Sequence, residues 1–353
     1  MKKDKEQQSS HIALYRKYRP QDFSEVIGQD HIVTAIKGAL DAGKVAHAYL
    51  LCGSRGTGKT TIARIIAREL GTSPNDIYEL DGASNRKIED VREIRENIRT
   101  LPFDSKYKVY ILDEVHMFTK EAWNALLKTI EEPPEHVIFI LATTELDKVP
   151  ETIISRCQTF TFNKPSDLIL AEVVKNISKK EGYTLEEGAS ELLALIGDGS
   201  FRDTQSNLDK VLSFAKNKKI SIEDVASVTG APERNLVEDF ILAIAYSDIE
   251  KGYKTVHNAS LQNIDMKIYI KMILSNLRYI LMLRYAPSTK TKIENSVSKH
   301  DMDFMNKIVV EKPEFITSKT LAILLDTYQS LRYSFIAELP LELALVKILN
   351  KGE

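Results

Sequence analysis

The sequence predicts a parallel α/β sheet followed by an all-α region, and three observations carry that reading. Short apolar runs alternate with helix-length stretches up to about residue 165, such runs then stop, and helical apolar spacing continues to the end of the chain. A length of 353 residues suits about two to three domains. With 43% apolar residues and 48 Lys+Arg against 50 Asp+Glu, the chain is neither collagen-like nor disordered. The formal net charge of −2 leaves no global basic field, so any nucleic-acid contact must come from a local patch.

The elements can be justified in order. Ala48–Cys52, Ile77–Leu80, Val109–Leu112 and Val137–Leu141 read as strands buried in a parallel sheet with helices on both faces. A helix is expected from Thr61 to Leu70. Thr119 can N-cap another, which carries Trp123, Leu126, Leu127 and Ile130 until Pro133-Pro134 stops it. From Pro165 to Thr229 strands are expected to cease, because Leu168, Val173 and Ile177, then Leu192, Leu193 and Ile196, then Leu208, Val211 and Leu212 have helical spacing. Thirteen of the 15 glycines precede residue 231 and five of the seven methionines follow it, which marks a boundary at Gly230-Ala231-Pro232. Beyond it Ile264, Ile268, Met272 and Leu281, then Leu321, Leu324, Tyr328 and Leu331, then Leu341 to Ile348 predict helices only. The expected division is 1–165 (α/β), 166–230 (a helical lid) and 231–353 (all-α), with Pro287 to Lys299 as a surface loop.

Cys52 and Cys157 are the only cysteines and form no C-x-x-C pair, so a disulfide framework and a cysteine-built zinc site are both excluded within one chain. The opening MKKDKEQQSS has no apolar core behind it, and no run approaches the ~18 apolar residues of a membrane span. A reducing cytoplasm without membrane contact is the expected location.

The strongest chemical signal is Gly53, Ser54, Arg55, Gly56, Thr57, Gly58, Lys59 and Thr60, a G-x-x-x-x-G-K-T run placed after a strand and before the helix that Thr61 opens. Glycines let successive N–H groups face phosphate oxygens, the helix N-terminus adds its dipole, Lys59 would reach the β/γ-phosphates and Thr60 would hold Mg²⁺. A later strand ends in Asp113-Glu114, which places two carboxylates at the carboxyl edge of the sheet. Asp113 would order the Mg²⁺ shell and Glu114 would polarise an attacking water, although a strand ending in a solvated acidic turn is the plainer alternative. Thr143-Thr144 could bond a γ-phosphate or water, or simply be β-branched residues at a strand end. Arg156 could be an arginine finger and Arg202 a second phosphate contact, against surface salt bridges as the alternative for both. Arg86, Lys87, Arg92, Arg95 and Arg99 gather on one stretch, with Arg92, Arg95 and Arg99 on one helical face. They could track a phosphate backbone, with Lys87 and Arg92 first, or form a salt-bridged face with Glu89, Glu93 and Glu96.

Taken together these residues resemble the AAA+ ATPases of clamp loaders, and within them the gamma/tau group of bacterial DNA polymerase III. The likeness rests on Tyr15-Arg-Lys-Tyr-Arg-Pro20, Val26-Ile-Gly-Gln-Asp-His31, His47-Ala-Tyr-Leu-Leu, the P-loop and Asp113-Glu-Val-His-Met117. It continues through Asn124 to His136, Ala142-Thr-Thr-Glu145, Ser155-Arg-Cys-Gln158 and Gly199-Ser-Phe-Arg-Asp203, dense to Asn163 and sparse in the last third. The resemblance implies adenine beneath Tyr15 and Arg16 with the backbone near Val26 and Ile27. It also implies sensor roles for Thr144 and Arg202, and makes Arg156 a finger acting in a neighbouring subunit. It further implies ATP and Mg²⁺ as cofactors, a C-terminal helical collar for assembly, and association with the nucleoid through DNA. The implied partners are delta- and delta-prime-type subunits, copies of itself, the sliding clamp and primer-template DNA.

Three departures qualify this. Bacterial relatives usually carry a cysteine-rich zinc module between the P-loop helix and Asp81-Gly-Ala-Ser-Asn85, where only Gly71 to Leu80 stands here, so no zinc is expected. The resemblance implies that the chain stops where the collar should end, with the tau-type extension toward helicase and polymerase absent either natively or by removal. The asparagine usual at sensor 1 of archaeal and eukaryotic small subunits is Thr144, which favours the bacterial group. Two other readings remain: a non-hydrolysing structural subunit, against which Lys59, Thr60, Asp113 and Glu114 argue, and a self-contained P-loop kinase, which has no use for the tail after Pro232.

Overall fold

Five strands form one all-parallel sheet: β1 (Ala48–Cys52), β2 (Ile77–Asp81), β3 (Lys108–Asp113), β4 (Val137–Thr143) and β5 (Gln158–Thr161), in the order β2-β3-β4-β1-β5. The computed structural model describes residues 12–84, 88–294, 297–311 and 316–349. Strand alternation sorts the core onto two faces. Tyr49, Leu51, Ile111 and Ile140 pack with Ile32, Ile36, Ile62 and Ile66 of helices Asp30–Asp41 and Lys59–Glu69. Leu50, Tyr110, Leu112 and Phe139 pack with Val91, Ile94, Trp123 and Leu126 of helices Ile88–Asn97 and Lys120–Glu131 on the other face. Every residue of β1 and β4 is buried, as a strand covered on both faces requires.

The four anticipated strands are present, and β5 is an addition. Its Gln158, Thr159 and Thr161 are exposed at the sheet's edge, so it carries no apolar run to betray it. The Thr119 hydroxyl accepts the Ala122 N–H at 3.2 Å and caps its helix as expected. The P-loop helix begins two residues earlier than the sequence suggested, with Lys59 itself in the first turn.

Contacts divide the chain into two compact units, Met1–Ile169 with Gly199–Asp203, and Leu170–Asp198 with Thr204–Glu353. Both sides of Gly230 therefore belong to the second unit. The expectation that strands cease after Pro165 is corrected by one small pair, β6 (Thr184–Leu185) parallel to β7 (Lys219–Ile220). Two residues each are too few to show a period. The expected surface loop after Pro287 is instead a 3₁₀ turn, Pro287–Thr289, and a short helix, Lys290–Glu294. From Arg234 onward only helices are described. They close around Phe240, Ile244, Tyr269, Ile273, Leu277, Leu324 and Leu345, with Met266, Met302 and Met305 buried too. The Tyr269 hydroxyl donates to the Leu236 carbonyl at 2.9 Å, which satisfies a phenol whose burial raises its pKa. Among the described residues no helix is long and apolar enough to cross a membrane.

Candidate functional site

β1 delivers the chain to the loop 53–58 at the carboxyl end of the sheet. Gly53 lies at φ +150°, and a Cβ there would stand 2.7 Å from the Phe162 carbonyl oxygen. Gly56 lies at φ +73°, and a Cβ there would stand 1.9 Å from Ser200 Oγ. Both positions demand glycine, for backbone angle and for space. The Gly56 carbonyl accepts the Phe201 N–H at 3.0 Å, so Gly199–Asp203 docks directly on this loop. Lys59 is buried, and its ammonium donates to the carbonyls of Gly53 (2.9 Å) and Ser54 (3.0 Å). Burial lowers its pKa, while Glu114 and then Asp113 oppose the shift and Arg202 adds to it. Thr57 Oγ1 donates to the Ser54 carbonyl at 2.9 Å, but the buried Ser54 hydroxyl itself has no partner among the described residues. An orphaned buried hydroxyl in a glycine-rich loop suits an absent polar ligand. Arg55 is exposed at the rim, and Thr61 follows in the first turn of the helix.

The carboxylates come from the end of β3, which β4 separates from β1 in the sheet. Thr60 Oγ1 donates to Asp113 Oδ2 at 2.6 Å, and Asp113 Oδ1 accepts the Glu114 N–H at 2.9 Å. Glu114 has the left-handed φ of 49°, a strained angle for a residue with a side chain. Thr144 Oγ1 donates to Glu114 Oε2 at 3.3 Å, which brings the end of β4 to the same carboxylate. A hydroxyl and a carboxylate in contact are the hard oxygen donors that Mg²⁺ takes alongside phosphate and water. Among the described residues no three His, Cys, Asp or Glu side chains could hold a metal by themselves. Thr60 and Asp113 fit such a cation as two oxygen donors of its shell.

Tyr15 is half-buried on the short helix Leu14–Lys17, with the Arg202 guanidinium 5.9 Å and that of Arg16 5.8 Å from its ring centroid. Arg19, which sequence reasoning did not single out, has its pKa lowered first by burial and then by Arg64, Arg202 and Arg16, with Glu79 opposing. Arg64 is itself paired with Glu79 at 2.7 Å, which offsets part of this positive charge. Val26 packs against the sheet core and Ile27 is 49% exposed, so this segment presents backbone and an apolar side chain together.

Arg156 is not among these contacts. Its guanidinium donates to the Thr152 carbonyl (2.7 Å) and the Ser155 hydroxyl (3.2 Å), and pairs with Glu131 at 2.7 Å. Arg92 is exposed on Ile88–Asn97, but that helix ends before Arg99, so the expected three-arginine helical face is shortened. Lys87 and Arg86 lie outside the described residues. Sequence reasoning also missed Ser200 as the neighbour of Gly56, Glu131 as the partner of Arg156, and His116 beside Glu114. Ser200 and Glu131 carry no local signal, since each becomes a partner only through the fold, whereas His116 stands two residues after Glu114 in the Asp113–Met117 run and the fold adds only its contacts with Thr143 and Glu145.

A family model described as DNA polymerase III, delta subunit, matches residues 71–166, and one described as magnesium chelatase, subunit ChlI, matches residues 22–109. The chain is 35% identical to DNA polymerase III subunit tau of Bacillus subtilis over 360 residues, covering 96% of this chain and 63% of that one. It is 34% identical to DNA polymerase III subunit gamma of Buchnera aphidicola subsp. Schizaphis graminum over 363 residues, covering 96% of this chain and 98% of that one. It thus spans less than two thirds of the tau subunit but nearly all of the gamma subunit. A solved structure described as the Thermotoga maritima RuvB Holliday junction branch migration motor shares 26% identity at a TM-score of 0.52, over 64% of this chain and 79% of that one.

Proposed function

The chain belongs to the gamma/tau family of DNA polymerase III subunits, and from that premise we propose that it is the ATPase motor subunit of a bacterial clamp loader. In this reading ATP binding organises an assembly that opens the sliding clamp and grips primed DNA, and hydrolysis releases the clamp around the duplex. The observation that carries it is the joining of Lys59, Thr60, Asp113, Glu114 and Thr144 at one sheet edge, with Thr60 on Asp113 at 2.6 Å and Thr144 on Glu114 at 3.3 Å. A purely structural subunit needs none of this. Mg²⁺, when bound, supplies charge neutralisation of the β- and γ-phosphates. Lys59 and the loop amides bind the phosphates, Tyr15, Arg16 and the Val26-Ile27 backbone hold the adenine, and Glu114 takes a proton from the attacking water. Thr144 and Arg202 report on the γ-phosphate.

The finer assignments belong to the same proposal. Arg156 acts on a neighbouring subunit's ATP, supported by its exposure and by its contacts, which are with Thr152, Ser155 and Glu131. Residues 166–230 act as a lid and 231–353 as a collar that joins delta- and delta-prime-type subunits and further copies of this chain. Lys87 and Arg92 track the phosphates of primer-template DNA, and zinc has no place. The work is done in the cytoplasm at the nucleoid. The test is ATP hydrolysis by complexes assembled with partner subunits, clamp and primed DNA, using Lys59→Ala protein, Arg156→Ala protein and their mixture. Each variant alone is expected to be nearly inactive, with recovery on mixing. Well-assembled mixed complexes that recover nothing would overturn the trans role of Arg156.

A further inference from the structure

His116 stands between Glu114 and the end of β4. Its Nδ1 lies 3.2 Å from Thr143 Oγ1 and 3.4 Å from Glu114 Oε2, and its Nε2 lies 3.3 Å from Glu145 Oε1. The ring is only 8% exposed, whereas the Glu114 and Glu145 carboxylates it meets are 32% and 42% exposed, so the imidazole is the fixed member of the group. Thr143 is the buried last residue of β4, and its hydroxyl is tied both to the Glu145 N–H (3.0 Å) and to the Glu145 carbonyl (3.2 Å). On the far side Lys148 pairs with Glu145 at 2.8 Å, and its hydrogen bond holds that carboxyl below the usual range against the opposing effect of burial. Carboxylates only accept, and the Thr143 proton is already on the Glu145 carbonyl, so Nδ1 is the donor toward Thr143 Oγ1 and Glu114 Oε2, and Nε2 holds Glu145 only when it carries a proton as well.

Glu114 needs such a holder. Its backbone is in the left-handed region, and its hydrogen bond from Thr144 is long at 3.3 Å. A threonine hydroxyl has one proton to donate. If that proton goes to a γ-phosphate, as the proposed sensor role requires, Glu114 loses the Thr144 bond at the moment its aim matters. The His116 contact does not compete with phosphate.

We propose that His116 is a positioning residue: through Nδ1 it holds the Glu114 carboxylate against the end of β4, and through Nε2 it anchors on Glu145, so that Glu114 stays aimed when Thr144 turns to substrate. The inference rests on the reading of Glu114 as the group that activates water. It predicts that the Nδ1 side matters more to the rate than the Nε2 side. An asparagine amide reaches the place of Nδ1, and a glutamine amide the place of Nε2.

The experiment compares His116→Asn, His116→Gln and His116→Ala in the full chain within assembled complexes. It reads kcat and KM for ATP, and separately the equilibrium binding of ATPγS. His116→Asn is expected to keep kcat within about threefold of the parent, whereas Gln and Ala lose about tenfold or more, with ATPγS affinity unchanged within about twofold in all three. In a Glu114→Gln background the further change to Ala should cost almost nothing, because the two residues act as one unit. The proposal is overturned if Ala matches the parent, if Gln serves as well as Asn, or if ATPγS binding falls in step with kcat. A parent complex that hydrolyses ATP beside indifferent His116 variants removes this inference alone; a parent complex that does not hydrolyse ATP removes the ATPase reading and this inference with it.

Discussion

Lys59 and Arg156 are two of the cations proposed to meet phosphate charge, and the fold holds them in opposite ways. The Lys59 ammonium is buried on two carbonyls of its own loop, in the first turn of a helix packed against the sheet. The Arg156 guanidinium is 37% exposed and held by Glu131 at 2.7 Å. An ion pair this exposed is worth only about 0–1 kcal/mol after screening. The lysine is thus part of the fold, while the arginine can exchange its partner for a stronger anion at small cost. Permanent placement suits a group that serves its own site, and cheap release suits one that serves a neighbour's.

The contrast can be broken or sharpened by substitution. Lys59→Ala should have the largest effect, about a thousandfold or more on hydrolysis together with weakened ATP binding, since it removes a charge from the ground state as well as the transition state. Arg156→Ala should cost about 100- to 1,000-fold in kcat while ATP binding measured by equilibrium dialysis stays within about twofold. If binding collapsed equally in both, the two cations would share one role and the comparison would fail. Gly56→Ala should destabilise by about 1–3 kcal/mol in chemical denaturation, because it adds a Cβ at a left-handed φ and against Ser200. Ser200→Gly in the same chain should recover the part due to collision and none of the part due to backbone angle. Glu131→Gln should do least, with stability lowered by less than about 1 kcal/mol and kcat within about threefold. A loss as large as that of Arg156→Ala would mean that Glu131 still positions the arginine in the assembled complex, and the pair would not be exchangeable.

How much was legible followed from where the information sits. Strands β1, β3 and β4 were legible because burial on both faces demands an unbroken apolar run, and β5 was not because an edge strand needs no such run. The P-loop was legible because adjacent residues share one backbone curl, so their spacing is the chemistry. Asp113-Glu114 and Thr143-Thr144 were legible as strand ends, but their contacts were not. Nothing in the local sequence says that Thr60 meets Asp113 or that Thr144 meets Glu114.

The amino-acid sequence by itself determined the fold class, the phosphate loop, the capped helix at Thr119 and the all-helical tail, since each depends on period or spacing within a short window. Tertiary structure alone decided the pairings: Ser200 against Gly56, Arg202 over Tyr15, Glu131 on Arg156, and His116 against Thr143 and Glu145. The physical reason is strand order. By placing β4 between β3 and β1, the sheet brings three strand ends to one edge. Which polar atoms then lie within 3 to 4 Å of one another depends on chain crossings that no local pattern encodes.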